Sequence, residues 1–224
     1  MFTNWLSTDH GSGTAAEERS HMVEHQLRAR GIRDERVLAA MGRISREEFA
    51  HAESMAEAYG DYPLPVGAGQ TVSQPYIVAT MVEALEIEPT DHVLEVGTGT
   101  GYQAAVLGEL AADVWSIERI PELAAKAREI LSRLGYSNVR VVDGDGSLGL
   151  PEHAPYHKIL VAAAAPDVPN SLLEQLADGG RLVIPVGSRT DQQIQLIRKT
   201  AGKIVSTPRE LCRFVPLVGQ EGWK

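Results

Sequence analysis

Apolar positions in the first third of the chain recur three and four residues apart, which is the signature of helices with one buried face. Met22, Val23, Gln26, Leu27 and Arg30 follow this period from about Glu17, and Gly31 can end it. Asp34 has the chemistry of an N-cap ahead of the stripe Val37, Leu38, Met41 and Ile44. A further short helix is expected within 46–58. The stretch from Tyr62 to Gly69 is too rich in Pro and Gly for a regular element and reads as a loop of fixed path. Pro75 suits the first turn of the next helix, with Ile77, Val78, Met81, Val82 and Leu85 on its buried face.

From residue 92 short apolar runs alternate with helical patterns. Strands are expected at His92–Val96, Val114–Glu118, Val139–Val142, Ile159–Ala163 and Arg181–Val186, with helices at 102–111, 121–134 and 169–177. Pro121 opens the clearest helix and Gly135 closes it. This alternation implies βαβ units and a parallel sheet. At the tail, Gln193–Lys199 and Lys203–Ser206 flank a hairpin signal at Thr200-Ala201-Gly202, and Cys212–Val218 is a further strand candidate. An antiparallel edge is therefore expected, with the hairpin insertable in two ways. Residues 1–16 lack the basic and apolar regions of a secretory signal and are expected to form a flexible polar leader. Residues 17–224 are expected to form one domain, in which 17–91 cover a nucleotide-binding-type core at 92–224.

Composition narrows the function. A net charge of -9 weighs against nucleic acid, because no Lys/Arg cluster is present to displace counterions. No apolar run approaches the ~20 residues that span a bilayer, so no membrane partner is expected. The single cysteine, Cys212, excludes an internal disulfide and a multi-cysteine zinc site, and suits a reducing cytoplasm. Its apolar surroundings read as a buried, inert thiol. His21-Met22-Val23-Glu24-His25 fits a zinc-protease pattern but lacks an identifiable acidic third ligand, so no metal is expected. His92 and His153 show no ligand spacing and read as surface or loop residues.

The chemistry concentrates after the first core strand. Glu95-Val96-Gly97-Thr98-Gly99-Thr100-Gly101-Tyr102 ends a strand and opens a helix, with glycines that allow tight turning and close approach to a ligand. Glu118 ends the next strand, 21 residues after Gly97, where a carboxylate can accept from ribose hydroxyls. Gly144-Asp145-Gly146 follows the third strand. Glu95, Glu118 and Asp145 would together repel a pyrophosphate and suit a cation. This favours S-adenosylmethionine over NAD as cofactor, leaving an NAD-dependent oxidoreductase and a non-catalytic binding module as alternatives. From the residues alone, Ser73 reads as a helix-start residue ahead of Pro75.

Further blocks stand in a definite order: Gly69-Gln70-Thr71-Val72-Ser73-Gln74-Pro75-Tyr76, the glycine block, Ala162-Ala163-Ala164-Ala165-Pro166, Gly179 to Gly187, and Arg213-Phe214-Val215-Pro216-Leu217. With these the chain resembles the protein-L-isoaspartate O-methyltransferases from about His21 to Val218. The resemblance implies a Rossmann-like class I methyltransferase fold of the α/β class, mostly parallel, with helices on both faces and an antiparallel C-terminal edge. It implies methyl transfer from S-adenosylmethionine to the free α-carboxylate of L-isoaspartyl residues in damaged proteins, D-aspartyl residues being poorer substrates. S-adenosylhomocysteine is the product, and repair runs through a succinimide. By the same resemblance Val72, Ser73, Glu95, Gly97, Thr98, Gly99, Gly101, Glu118, Arg119, Asp145 and Gly146 border the cofactor. Val215, Pro216 and Leu217 border the substrate, and Ser73 is the catalytic position. The partners implied are isoaspartyl proteins and peptides, met by a monomer. A carboxylate is already ionised at neutral pH, so alignment and exclusion of water should carry the reaction rather than a general base.

Overall fold

The computed structural model describes residues 13–50, 52, 53 and 55–224. Most of the expected leader lies outside the described residues. Thr14 accepts from the Glu17 amide and Glu17 accepts from the Thr14 amide, a capping box that starts helix α1 (Ala15–His21) slightly earlier than the pattern implied. A π-helical stretch at Met22–Leu27 and a 3-10 turn at Arg28–Arg30 follow, and Gly31 ends them at φ 105°. Helix α2 (Glu35–Arg43) is capped by the Asp34 carboxylate, as its sequence indicates.

The single helix expected within 46–58 is instead a 3-10 turn at Arg46–Glu48 and the short α3 (Met55–Ala58). The buried Arg46 side chain donates to the carbonyl of Ala58, so the chain doubles back. The expected loop before residue 70 is a hairpin of β1 (Leu64–Gly67) and β2 (Gln70–Val72). Ala68 and Gly69 take positive φ values of 51° and 70° at its turn, while Leu64, Val66 and Val72 are buried. Helix α4 (Pro75–Leu85) starts with proline at its first turn.

The core runs β3 (His92–Val96), α5 (Tyr102–Gly108), β4 (Asp113–Glu118), α6 (Pro121–Arg133), β5 (Val139–Asp143), β6 (Tyr156–Val161), α7 (Asn170–Gln175) and β7 (Leu176–Gly187). It closes with β8 (Gln192–Thr200) and β9 (Lys203–Cys212), in the order β5-β4-β3-β6-β7-β8-β9. The first five strands are parallel, and β8 is antiparallel to both β7 and β9. The tail is thus a simple meander with β9 at the edge, which settles the order left open by the sequence. No strand forms at 213–218 among the described residues. That segment leaves the sheet, and Leu217 donates to the carbonyl of Ala164 at 2.8 Å while Ala164 donates back to Val215. Pro216 between them has no N–H for a regular ladder.

Side chains alternate across the sheet as the strand geometry requires. Val93, Leu160 and Val183 pack toward α4, α5, α6 and the N-terminal helices, while Leu94, Ile159, Val161 and Leu182 pack on the α7 side. Residues from both 17–91 and 92–224 share the first of these cores. At the opposite end of the sheet from the glycine loop, His92 is half-buried rather than on the surface. It contacts Asp113 at 2.8 Å and stacks on Tyr156, while His153 stacks on Trp115. Among the described residues, no helix is long and apolar enough to cross a membrane.

Candidate active site

The C-terminal ends of the parallel strands, together with β2 and the 215–218 segment, enclose a chamber. The turn after β3 forms its floor. Gly97, Gly99 and Gly101 all have positive φ, and at Gly99 (56°) a side chain would point into open space, so the backbone itself is presented to a ligand. The Glu118 carboxylate, only 7% exposed, locks this turn: it accepts from the Gly99 amide at 2.8 Å and from the Ile120 amide at 2.9 Å. Thr98, Arg119 and Ile120 also line the chamber.

Two of the three carboxylates expected at the ligand face elsewhere. Glu95 lies under the chamber wall, fully buried, and accepts from Ser116 Oγ at 2.5 Å; Ser116 in turn bonds Thr98 Oγ1. Burial pushes the Glu95 carboxyl up to about 8, against the lowering pull of Ser116 and with the help of the nearby Glu118 charge. Asp145 turns away from the chamber. Its carboxylate accepts from the Ser147 amide and hydroxyl, at 3.0 and 2.7 Å, and from the Gln220 amide at 2.7 Å. Burial alone would raise its pKa, but these donors hold it below the usual carboxylate range. The neighbouring Gly146 does line the chamber. A Cβ there would come within 2.4 Å of Val96 Cγ1. The charge argument for a cationic cofactor therefore rests on Glu118 alone, because burial keeps Glu95 largely protonated at neutral pH.

Val72 and Ser73 border the chamber from the β1–β2 side, and Val215, Pro216 and Leu217 border it from the C-terminal segment. Ser73 is half-buried, and among the described residues its hydroxyl has no hydrogen-bond partner. Its carbonyl accepts from Arg46 Nη2 at 3.1 Å. Nothing in the sequence marks Arg46, since a charged residue in an amphipathic segment normally faces water.

The site also carries buried polar atoms without partners in the chain: Thr100 Oγ1, Tyr102 OH and Gln103 Nε2, all on chamber-lining residues. Such atoms cost about 1–3 kcal/mol each when unmet. Burial raises the Tyr102 phenol to about 12, which keeps it a neutral donor. An open glycine turn with a carboxylate bonded into it fits S-adenosylmethionine. The rings of the motif histidines His21 and His25 lie 4.5 Å apart at a 40° tilt, and no group of three ligating side chains is placed to hold a metal among the described residues. Cys212 is half-buried, with its thiol raised to about 11 by burial, which suits an inert role.

A family model described as "Protein-L-isoaspartate(D-aspartate) O-methyltransferase (PCMT)" matches residues 17–222. A protein-L-isoaspartate O-methyltransferase of Koribacter versatilis is 59% identical over 208 residues, spanning 93% of this chain and 94% of its own. One from Methanoculleus marisnigri is 55% identical over 207 residues, with 92% and 94% covered. A solved protein-L-isoaspartate O-methyltransferase superposes with a TM-score of 0.83 at 30% identity, over 91% of this chain and 67% of that one. A putative enzyme of the same name from Plasmodium falciparum, solved with S-adenosyl-L-homocysteine, matches the fold with a TM-score of 0.76 at 24% identity, over 89% and 98% of the two chains.

Proposed function

The chain belongs to the protein-L-isoaspartate(D-aspartate) O-methyltransferase family, and on that premise we propose how its own residues divide the work. The reaction is methylation of isoaspartyl residues in proteins with S-adenosylmethionine, which sets aside the NAD and non-catalytic alternatives. In our reading, the glycine turn and Glu118 hold the cofactor, with Glu118 on the ribose. Arg119 and Gly146 complete that side. Ser73 donates its free hydroxyl to the isoaspartyl carboxylate, and Val215, Pro216 and Leu217 flank the peptide. Glu95 and Asp145 shape the walls rather than touch the cofactor.

The observation that carries this reading is that Ser73, with an unengaged hydroxyl, borders the same chamber as the Gly97–Gly101 turn. When bound, S-adenosylmethionine supplies an electrophilic methyl group on a sulfonium. The substrate carboxylate is already anionic at neutral pH, so no residue need remove a proton. What the chain contributes is alignment of the nucleophilic oxygen and a chamber closed to water. Ser73 serves as an orienting donor and not as a covalent nucleophile. The ester then collapses to a succinimide by attack of the following backbone amide, with loss of methanol, and hydrolysis returns part of it to normal aspartate.

The rest of the proposal is a single catalytic domain over 17–224, acting as a cytoplasmic monomer without nucleic-acid partners and taking D-aspartyl sites more slowly. Its supports are the core shared between 17–91 and 92–224, the acidic balance and the single half-buried thiol. The test is methyl transfer to an isoaspartyl peptide set against its normal aspartyl twin. Selective labelling of the first is expected; labelling of neither, with S-adenosylhomocysteine still bound, would defeat the substrate reading and leave the fold intact.

A further inference from the structure

Asp61 lies outside the chamber lining, in the turn between α3 and β1, yet its carboxylate reaches two of the three residues that lead from Ser73 into α4. Gln74 Nε2 donates to Asp61 Oδ2 at 2.7 Å, and the Tyr76 amide donates to Asp61 Oδ1 at 3.1 Å. Gln74 occupies the N-cap of α4 but makes no side-chain cap bond of its own, and Pro75 has no N–H. The Tyr76 amide is therefore an orphan donor of the first turn, and its cap comes from 15 residues earlier in the chain. Arg30 pairs with Asp61 Oδ2, the oxygen that also accepts from Gln74, and lays its guanidinium 3.6 Å from the centre of the Tyr76 ring.

This anchor complements the one on the preceding residue. Arg46 fixes the carbonyl of Ser73, and Asp61 fixes the side chain of Gln74 and the backbone of Tyr76. The three peptide units from the Ser73 carbonyl to the Tyr76 amide are thus tied at both ends, while Ser73 borders the chamber and its hydroxyl has no partner among the described residues. We infer that Asp61 is a positioning residue of the methyl transfer: it caps α4 at long range and holds the Gln74 amide, and so sets where Ser73 stands at the substrate end of the chamber. The inference rests on the reading of Ser73 as the orienting donor. A misplacement of about 1 Å at a reacting centre can cost about 100-fold in rate, so an anchor one residue away has leverage on turnover and little on cofactor affinity.

The experiment is a double-mutant cycle in the full chain. Asp61→Asn, Ser73→Ala and the pair are compared by kcat and KM for an isoaspartyl peptide and by calorimetric Kd for S-adenosylhomocysteine. Asp61→Asn is nearly isosteric, and retained S-adenosylhomocysteine binding reports that it folds. It is expected to lower kcat about tenfold or more with Kd within about twofold of the parent, and the pair is expected to be no slower than Ser73→Ala alone, because one residue acts through the other. Arg30→Ala, which leaves both loop bonds in place, is expected to keep kcat within about threefold. A helix cap with only a structural role would lower stability and leave the two kcat losses to multiply. Independent losses, or an Asp61→Asn enzyme with parental kcat beside a slowed Ser73→Ala, overturn the role of Asp61 alone. A Ser73→Ala enzyme at parental kcat overturns the serine reading and this inference with it.

Discussion

Arg46 Nη2 donates a 3.1 Å hydrogen bond to the carbonyl of Ser73 from a guanidinium with no exposed surface. Its other terminal nitrogen donates to the carbonyl of Ala58, and the group lies 5.5 Å from the centre of the Tyr102 ring. Two backbone carbonyls and an aromatic face thus stand in for the carboxylate that normally accompanies a buried arginine. Burial pulls its pKa below the ordinary arginine value, with Tyr102 and Asp61 opposing. Replacing it leaves two carbonyls in the core without donors. Arg46→Met is therefore expected to destabilise the fold by roughly 2–5 kcal/mol, with Arg46→Lys losing less because one carbonyl can still be met. Urea denaturation of the three proteins measures this, and a Met variant as stable as the parent would show the buried charge to be dispensable.

Among the described residues no base bonds the Ser73 hydroxyl to make it a nucleophile, and an ionised substrate carboxylate needs none. In the proposed role the contribution of Ser73 is one hydrogen bond that orients a charged group, worth about 1.5–3 kcal/mol when made to an ion. Ser73→Ala should accordingly lower kcat by about 10- to 100-fold while the Kd for S-adenosylhomocysteine stays unchanged. Single-turnover kinetics with radiolabelled methyl donor read the step directly. Parental turnover with an ordinary KM would remove the role.

Glu118 differs, because both of its oxygens already accept backbone amides of the cofactor turn, from Gly99 and from Ile120. Glu118→Gln keeps the shape but turns an NH2 toward one of those N–H groups. The ribose is common to cofactor and product, so their affinities should fall together, by about 10- to 100-fold for one lost charged hydrogen bond. Calorimetry with both ligands tests this. Loss of one affinity without the other would place the carboxylate away from the ribose.

How far the sequence carried depends on which features were local. β3 stands at His92–Val96 as its apolar run indicates, and Glu118 reaches the glycine turn because a β-α-β unit fixes that spacing. Asp145 also stands at a strand end, but its carboxylate is engaged by Ser147 two residues on and by Gln220, which the C-terminal segment brings from 75 residues away. The β1–β2 hairpin was hidden because Pro65 and Gly67 look like loop residues. Its two-residue turn and the inward Leu64 and Val66 outweigh them. Arg46 and Asp61 were invisible for a related reason: each acts on a backbone group that only the tertiary fold delivers.

The buried Glu95 gives the fold a pH dependence of defined sign. Its carboxyl rises from 4.5 to about 8 in the folded chain, chiefly through burial. Between those values the folded state keeps a proton that the unfolded state has released, so stability falls as pH rises. The contribution of neutral Glu95 is complete below about pH 4.5 and is lost as pH climbs through about 8. Glu95→Gln keeps an uncharged group of the same shape at every pH and should abolish that slope. Each pKa unit corresponds to about 1.4 kcal/mol, so the parent should lose on the order of a few kcal/mol relative to the variant between about pH 5 and 9. Urea denaturation at about pH 5, 7 and 9 makes the comparison, in which parallel pH profiles would mean that Glu95 is charged throughout. In that case a counter-charge or water must reach its second oxygen, Oε1, which has no partner within the chain among the described residues.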